Sequence, residues 1–234
     1  MITRIAVVPY PPLLVPALTV RADPETARLR GACLRAVSSL TDSAAEWVAV
    51  GVDQSGPQVL GPDTAGTFAG FGVDFPVTLG GAGTPDPELP LPALIAGLLR
   101  EQAGALAVTT HLLAPDTPAG DCQRLGAELA AGDVGLLVLA DGTNRSDERS
   151  PYSPDERAKP VDEQIRTALV DVDTAALFAL EPEPCAELGV AGRAALQVLP
   201  GVVEATGGTW RGELLYSATP FGVTYHVATW TRTA

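Results

Sequence analysis

Two periodicities alternate along the chain: short runs of β-favouring apolar residues, and longer stretches with an apolar position every three or four residues. Residues 2–8 (ITRIAVV) and 47–52 (WVAVGV) are of the first kind. Near-continuous apolar character is what a strand buried on both faces requires. Between them, Asp23-Pro24-Glu25 offers an N-cap, a proline at the first helical position and an early acid. Leu29, Cys33, Val37 and Leu40 then recur at helical spacing, which predicts a helix over 24–40. The turn at 53–57 (DQSGP) closes the second strand. The Gly- and Pro-rich stretch 58–92 holds one or two short strands, 74–79 being the better candidate, with a glycine turn at 80–83.

Helix 91–102, strand 105–109, helix 118–131 and strand 134–140 (VGLLVLA) continue the alternation. A polar loop at 141–160 leads into helices near 161–169 and 174–180. A further helix spans 185–199, which Pro200 must kink or end because it lacks the N–H that the helix interior uses. Runs 209–218 and 223–231 flank a Thr219-Pro220-Phe221-Gly222 turn and read as a terminal hairpin. Strand–helix alternation implies an α/β fold: one mostly parallel central sheet with helices on both faces, in three layers. Ligand sites in such sheets gather beyond the carboxyl ends of the strands, here the loops after Val8, Val52, Thr109 and Ala140.

With 234 residues, 46% of them hydrophobic, a single domain over 1–234 is expected. The 28 acidic residues outnumber the 15 basic ones, and a net charge of -13 speaks against nucleic acid or an anionic membrane as partner. No apolar run approaches the ~20 residues of a membrane span. The opening MITRIAVVPYPPLL lacks a small-residue cleavage site and reads as a first strand, not a secretion signal. Cys33, Cys122 and Cys185 are too few and too widely spaced for a disulfide framework or a CxxC metal site, so a cytoplasmic location is expected.

Candidate chemistry is sparse. Gly80, Gly81 and Gly83 fit neither phosphate-loop pattern and precede TPDPELP, which starts no helix. Ser55 in DQSGP is not a nucleophile elbow. Asp141, directly after the best strand, and Asp53 with Gln54, after the second, fit either a turn role or a chemical one. His111 follows the third strand and is placed either in the strand-end cleft or as a half-buried turn residue. His226, opposite Val223, Tyr225 and Val227 in the last strand's alternation, reads as a sheet-face histidine bonded to a neighbour. The three tryptophans are scattered and read as packing.

At VVPYPPLLVP, ADGTNRSDE, VAGRAALQVLPG and FGVTYHVATW the chain resembles the LigB-like superfamily, which takes in the class III extradiol ring-cleavage dioxygenases and the Memo-like proteins. The resemblance spans residues 2–230 and implies a three-layer α/β/α fold. In active members it implies Fe(II) held by two histidines and a carboxylate, with open positions for catecholate and dioxygen. A further histidine there acts as acid–base; Memo-like members carry cysteine in place of the carboxylate. This sequence departs from the pattern throughout. The first ligand, in a PHPPLL-like segment, matches Tyr10; the second, in a GPSH-like segment, falls near Gln54 beside Asp53; the third, before a GR pair, matches Ala191. Glu187 lies one helical turn from that last position. The acid–base histidine of a GDxSH-like segment matches Asn144.

Composition leads to the same point without alignment. The usual mechanism needs three imidazoles, and the chain has two. Tyrosine, with a phenol pKa near ~10, is a poor Fe(II) ligand, and an asparagine amide exchanges no proton near neutrality. The expectation is a cytoplasmic LigB-like protein without iron or any other cofactor. It would bind a small molecule or a partner protein in a residual cleft, with Tyr10 as an aromatic wall, Asp141 as a fixed charge, and Gln54 and Asn144 as adaptable polar groups. Three alternatives stay open: a carboxylate-based metal hydrolase or lyase using Asp53, Asp141 and His111; a true extradiol dioxygenase; and a homo-oligomer that assembles its site from two chains.

Overall fold

The computed structural model describes residues 1–19 and 23–233. In chain order, β1 (Arg4–Val8) leads through α1 (Pro24–Thr41) to β2 (Glu46–Val52), then to the short strands β3 (Gln58–Leu60), β4 (Ala65–Thr67) and β5 (Pro76–Thr78). Next come α2 (Leu91–Ala103), β6 (Ala107–Leu113), α3 (Ala119–Leu129), β7 (Gly135–Leu139) and α4 (Ala158–Asp171). Four short helices, α5 (Thr174–Phe178), α6 (Pro182–Leu188), α7 (Arg193–Leu196) and α8 (Leu199–Thr206), precede the hairpin of β8 (Thr209–Ala218) and β9 (Tyr225–Thr233).

Seven strands form one sheet in the order β3-β6-β2-β7-β1-β9-β8. The central β6, β2, β7 and β1 run parallel, while β3 and the β8–β9 hairpin add antiparallel pairs at the edges. Side chains alternate cleanly between two cores. Ile5, Val7, Val50, Leu136 and Val138 face the side covered by α3 to α8. Ala6, Val8, Ala49, Leu137 and Leu139 face α1 and α2. The sheet is therefore apolar on both faces, as the sequence runs require. Helix α1 starts where its cap signals say: the Asp23 carboxylate accepts the Thr26 N–H at 2.7 Å, and Leu29, Cys33, Val37 and Leu40 are buried against the sheet. The three tryptophans are core residues. Among the described residues no helix is long and apolar enough to cross a membrane.

Four expectations need correction. The stretch 58–92 contains three strands, one joining the sheet edge and two forming a separate ladder. Strand β6 continues to Leu113, so His111 lies inside it, opposite Val50 and Val59, and not after its end. Helix α4 starts at Ala158, inside the stretch read as loop. The single helix expected over 185–199 is three pieces. Gly189 at φ +71° ends α6, and Pro200 sits in the first turn of α8, where a missing N–H leaves no bond unmade. Proline there begins a helix and does not break one.

Leu137 lies fully buried at the centre of the sheet, opposite Ala6 on β1 and Ala49 on β2. Leu137→Ala should lower unfolding stability by about 2–5 kcal/mol, measured by urea denaturation.

Candidate functional site

The chain passes from β1 to β2 to β6 on one face, then returns on the other to insert β7 between β2 and β1. The order of the strands reverses there, and the loops leaving β1, β2 and β7 diverge around a crevice. Tyr10 stands on the first loop, Asp53 and Gln54 on the second and Asn144 on the third. They line one cavity of about 420 Å³, closed on its far side by Cys185, Ala191 and Arg193 from the α6–α7 region.

Each wall has a local cause. Pro11 and Pro12 turn the chain after Tyr10 into two consecutive 3-10 turns, and Arg30 of α1 holds them by donating to the Leu13 and Val15 carbonyls and the Thr19 hydroxyl. Asp53 forms an Asx turn, its carboxylate accepting the Ser55 N–H at 2.9 Å and the Ser55 hydroxyl at 2.7 Å. The loop after β7 is laced to the hairpin: Gly142 N–H donates to the Thr224 carbonyl, and Thr224 N–H to that of Thr143, both at 2.9 Å. Asn144 N–H in turn reaches the Leu188 carbonyl at 3.1 Å. A methyl group on Gly189 would collide with the Asn144 amide, so the residue that ends α6 also makes room for Asn144.

Under this loop lies a buried carboxylate that sequence reasoning did not single out. Asp162 of α4 accepts the Thr143 N–H at 2.8 Å, and the Thr143 and Thr224 hydroxyls at 2.6 Å each. Ser146 Oγ lies 3.1 Å from the same oxygen. One carboxylate thus ties the β7 loop, the hairpin and α4 together, with neutral donors on both of its oxygens.

Asp141 accepts the Tyr10 N–H at 2.9 Å, a bond spanning the chain from one crevice loop to another and not a local Asx turn. Burial pushes its carboxyl up to about 7, only partly offset by that bond. It sits beside the cavity and not among the residues that line it, and its charge varies near neutrality, so the expectation of a fixed charge needs correction. The Tyr10 phenol is pushed far above its ordinary range, first by burial and then by the nearby Asp141 and Asp53 carboxylates, and it stays neutral. Burial holds the Cys185 thiol up to about 11, so it too is neutral. Arg193, by contrast, carries a permanent charge and is only 2% exposed.

Of the residues expected in the cleft, Tyr10, Asp53, Gln54, Asn144 and Ala191 line it, and Asp141 stands beside it under Tyr10. His111 does not reach it. It lines a separate groove with Pro57, Val59 and Asp116, so Asp53, Asp141 and His111 do not form a trio. Glu187 is exposed and paired with Arg157 at 2.8 Å. His226 is buried with Nδ1 3.0 Å from Ser217 Oγ, a sheet histidine bonded to a neighbour. Arg193 was legible only as half of the GR pair. The one signal for it was a lone charge in the mostly apolar VAGRAALQVLPG.

The Fe(II) that the resemblance implies does not fit these residues. Its three ligand positions hold a neutral phenol, an amide and a methyl group, and the nearby thiol is protonated. Among the described residues no three His, Cys, Asp or Glu side chains converge as a metal-holding group.

Two variants probe the supports. Asp162→Ala strands the buried Thr143 N–H and should cost about 2–4 kcal/mol in urea denaturation, with Asp162→Asn milder. Asp141 has a folded pKa raised above the ~3.9 of an unfolded aspartate, so the folded state binds the extra proton between those values. Its contribution to stability is complete below that window and lost as pH rises towards about 7. Asp141→Asn keeps an acceptor for Tyr10 but carries no charge. In thermal melts its advantage over wild type should widen from mildly acidic to mildly alkaline pH; a constant difference would show that Asp141 titrates as it does unfolded.

No family model matches the chain, and no curated protein matches it. Among solved structures it is similar to the crystal structure of the uncharacterized protein JW3007 from Escherichia coli K12, at a TM-score of 0.55 and 14% identity over 98% of this chain and 99% of that one. At that identity the likeness is one of fold, an α/β arrangement shared along the whole length.

Proposed function

We propose that this chain is a LigB-like protein that has lost the iron site and ring-cleavage activity, and that it binds a small molecule in the remaining cleft. The observation that carries this reading is a convergence. The positions matched to the family's ligands and acid–base group, Tyr10, Gln54, Ala191 and Asn144, are far apart in sequence yet line a single cavity of about 420 Å³. That volume suits a small organic molecule. Apolar walls (Val52, Leu91, Pro92 and Val190) surround a few polar groups, a composition suited to an apolar body held by one or two polar anchors.

The chemistry left at these positions supports binding over turnover. An amide at Asn144 hydrogen-bonds without moving a proton, and a buried phenol at Tyr10 supplies a wall with a hydroxyl. The three cysteines are free and buried, which accords with a cytoplasmic setting. A net charge of -13 disfavours nucleic acid and anionic membrane surfaces as partners.

Protein reconstituted anaerobically with Fe(II) is expected to retain no stoichiometric iron after gel filtration and to consume no oxygen with catechol. One iron per chain, lost on Tyr10→Phe or Asp141→Ala, would overturn the iron-free reading. A thermal-shift screen of small metabolites should find a ligand that raises the melting temperature, by ~2.7 kcal/mol of stabilisation at a hundredfold excess over Kd. That shift should vanish in Ala191→Trp, which fills the cleft from its rim.

A further inference from the structure

Arg193 presents an electrostatic anomaly. The residue is 2% exposed, and its guanidinium donates to the Gln197 Oε1 at 2.6 Å, the Pro115 carbonyl at 2.7 Å and the Thr117 carbonyl at 2.9 Å. All three acceptors are neutral. Among the described residues no carboxylate lies within 4.0 Å of it, whereas buried cations are ordinarily paired with an anion. The two thiols that feel its field, Cys185 and Cys122, are each held up to about 11 by burial, so neither is a thiolate that could balance the charge. Its Nε carries no hydrogen bond among the described residues, and the side chain lines the cleft. Carbonyls satisfy the hydrogens of a guanidinium, but not its charge.

We propose that the cleft selects a small monocarboxylate, whose anionic head pairs with the Arg193 guanidinium while its apolar body lies against the Val52, Pro92 and Val190 walls. This rests on the small-molecule reading above and adds the chemical class of the ligand. A single negative charge matches the single unpaired positive one. A phosphate carries ≈ −1.5 to −2 at neutral pH, and the excess would meet the Asp53 carboxylate that lines the same cavity. The Asn144 amide also lines the cleft, and its Nδ2 hydrogens offer a second donor to a carboxylate.

The test compares isosteres on the intact chain. Benzoate, benzamide and phenyl phosphate are titrated into isotope-labelled protein, with the amide resonances of Asn144, Gly189 and Val190 as the readout. Benzoate should bind roughly ten- to hundredfold more tightly than neutral benzamide, the range expected of one charge-assisted bond in a buried site, and more tightly than phenyl phosphate. Ala191→Trp should abolish all three titrations. Equal affinity for benzoate and benzamide would overturn the carboxylate inference while leaving a small-molecule cleft in place, and tighter binding of phenyl phosphate would overturn it too. No perturbation of those resonances by any probe up to millimolar concentration would also overturn it; the cleft reading itself then stands or falls on the metabolite screen. Arg193→Met should erase the preference for benzoate. If that variant unfolds, the isostere comparison in the native chain decides alone.

Discussion

The structure depends on where β7 is inserted. Its five residues, GLLVL, are buried without exception and pair in parallel with β1 on one side and β2 on the other. Only a strand with no polar face can occupy that place, because helices cover the sheet on both sides. Once it is there, the segment that leaves it, Ala140 to Ser146, must emerge between the exits of β1 and β2. The crevice is a consequence of strand order, and the residues on those three exits are thrown together whatever their chemistry.

Position alone does not fix a side chain, and a second layer does that here. Asp162 is a buried carboxyl group with no cation within salt-bridge distance among the described residues, held by a backbone N–H and hydroxyls from two elements. Such a network is costly if any donor is missing, so it tolerates one arrangement of the β7 loop. The Tyr10–Asp141 bond does the same between the first and third exits, with a carboxyl whose charge varies near neutrality. The cleft is rigid on its Asn144 side through hydroxyls and on its Tyr10 side through one amide bond and the Arg30 clamp.

Strands and long helices were legible in the sequence because burial on two faces leaves a run, and burial on one face leaves a period. Cap chemistry located the start of α1 for a local reason, and Asp23 does what its position says. What failed was governed by tertiary space. The break at Gly189 depends on a positive φ and on room for the Asn144 amide, neither of which a hydrophobic pattern records. Pro200 was ambiguous because proline ends one helix and begins another with the same geometry. His111 was displaced from the crevice by four residues of β6 that pair with β2 and β3, an extension paid in backbone hydrogen bonds to neighbours that the local sequence does not show. Asp162 and Arg193 were missed for one reason: a single charge in a helical segment looks like surface until its neighbours are known.

The two buried ionisable side chains beneath the crevice, Asp162 and Arg193, behave differently, and the difference bears on function. Asp162 takes neutral donors from the loop and the hairpin that it anchors, and it lines a different pocket from the crevice. Arg193 has neutral acceptors too, but it faces a cavity, and part of its donor set is unused. A protein that needed only a strut between α7 and the Pro115–Thr117 loop could use an amide such as Gln197, which bridges three carbonyls of the α5–α6 segment without charge. Retaining a full charge at such a place costs desolvation that the neutral carbonyls around Arg193 offset only in part. The proposed carboxylate ligand would supply the countercharge from the cleft that Arg193 lines.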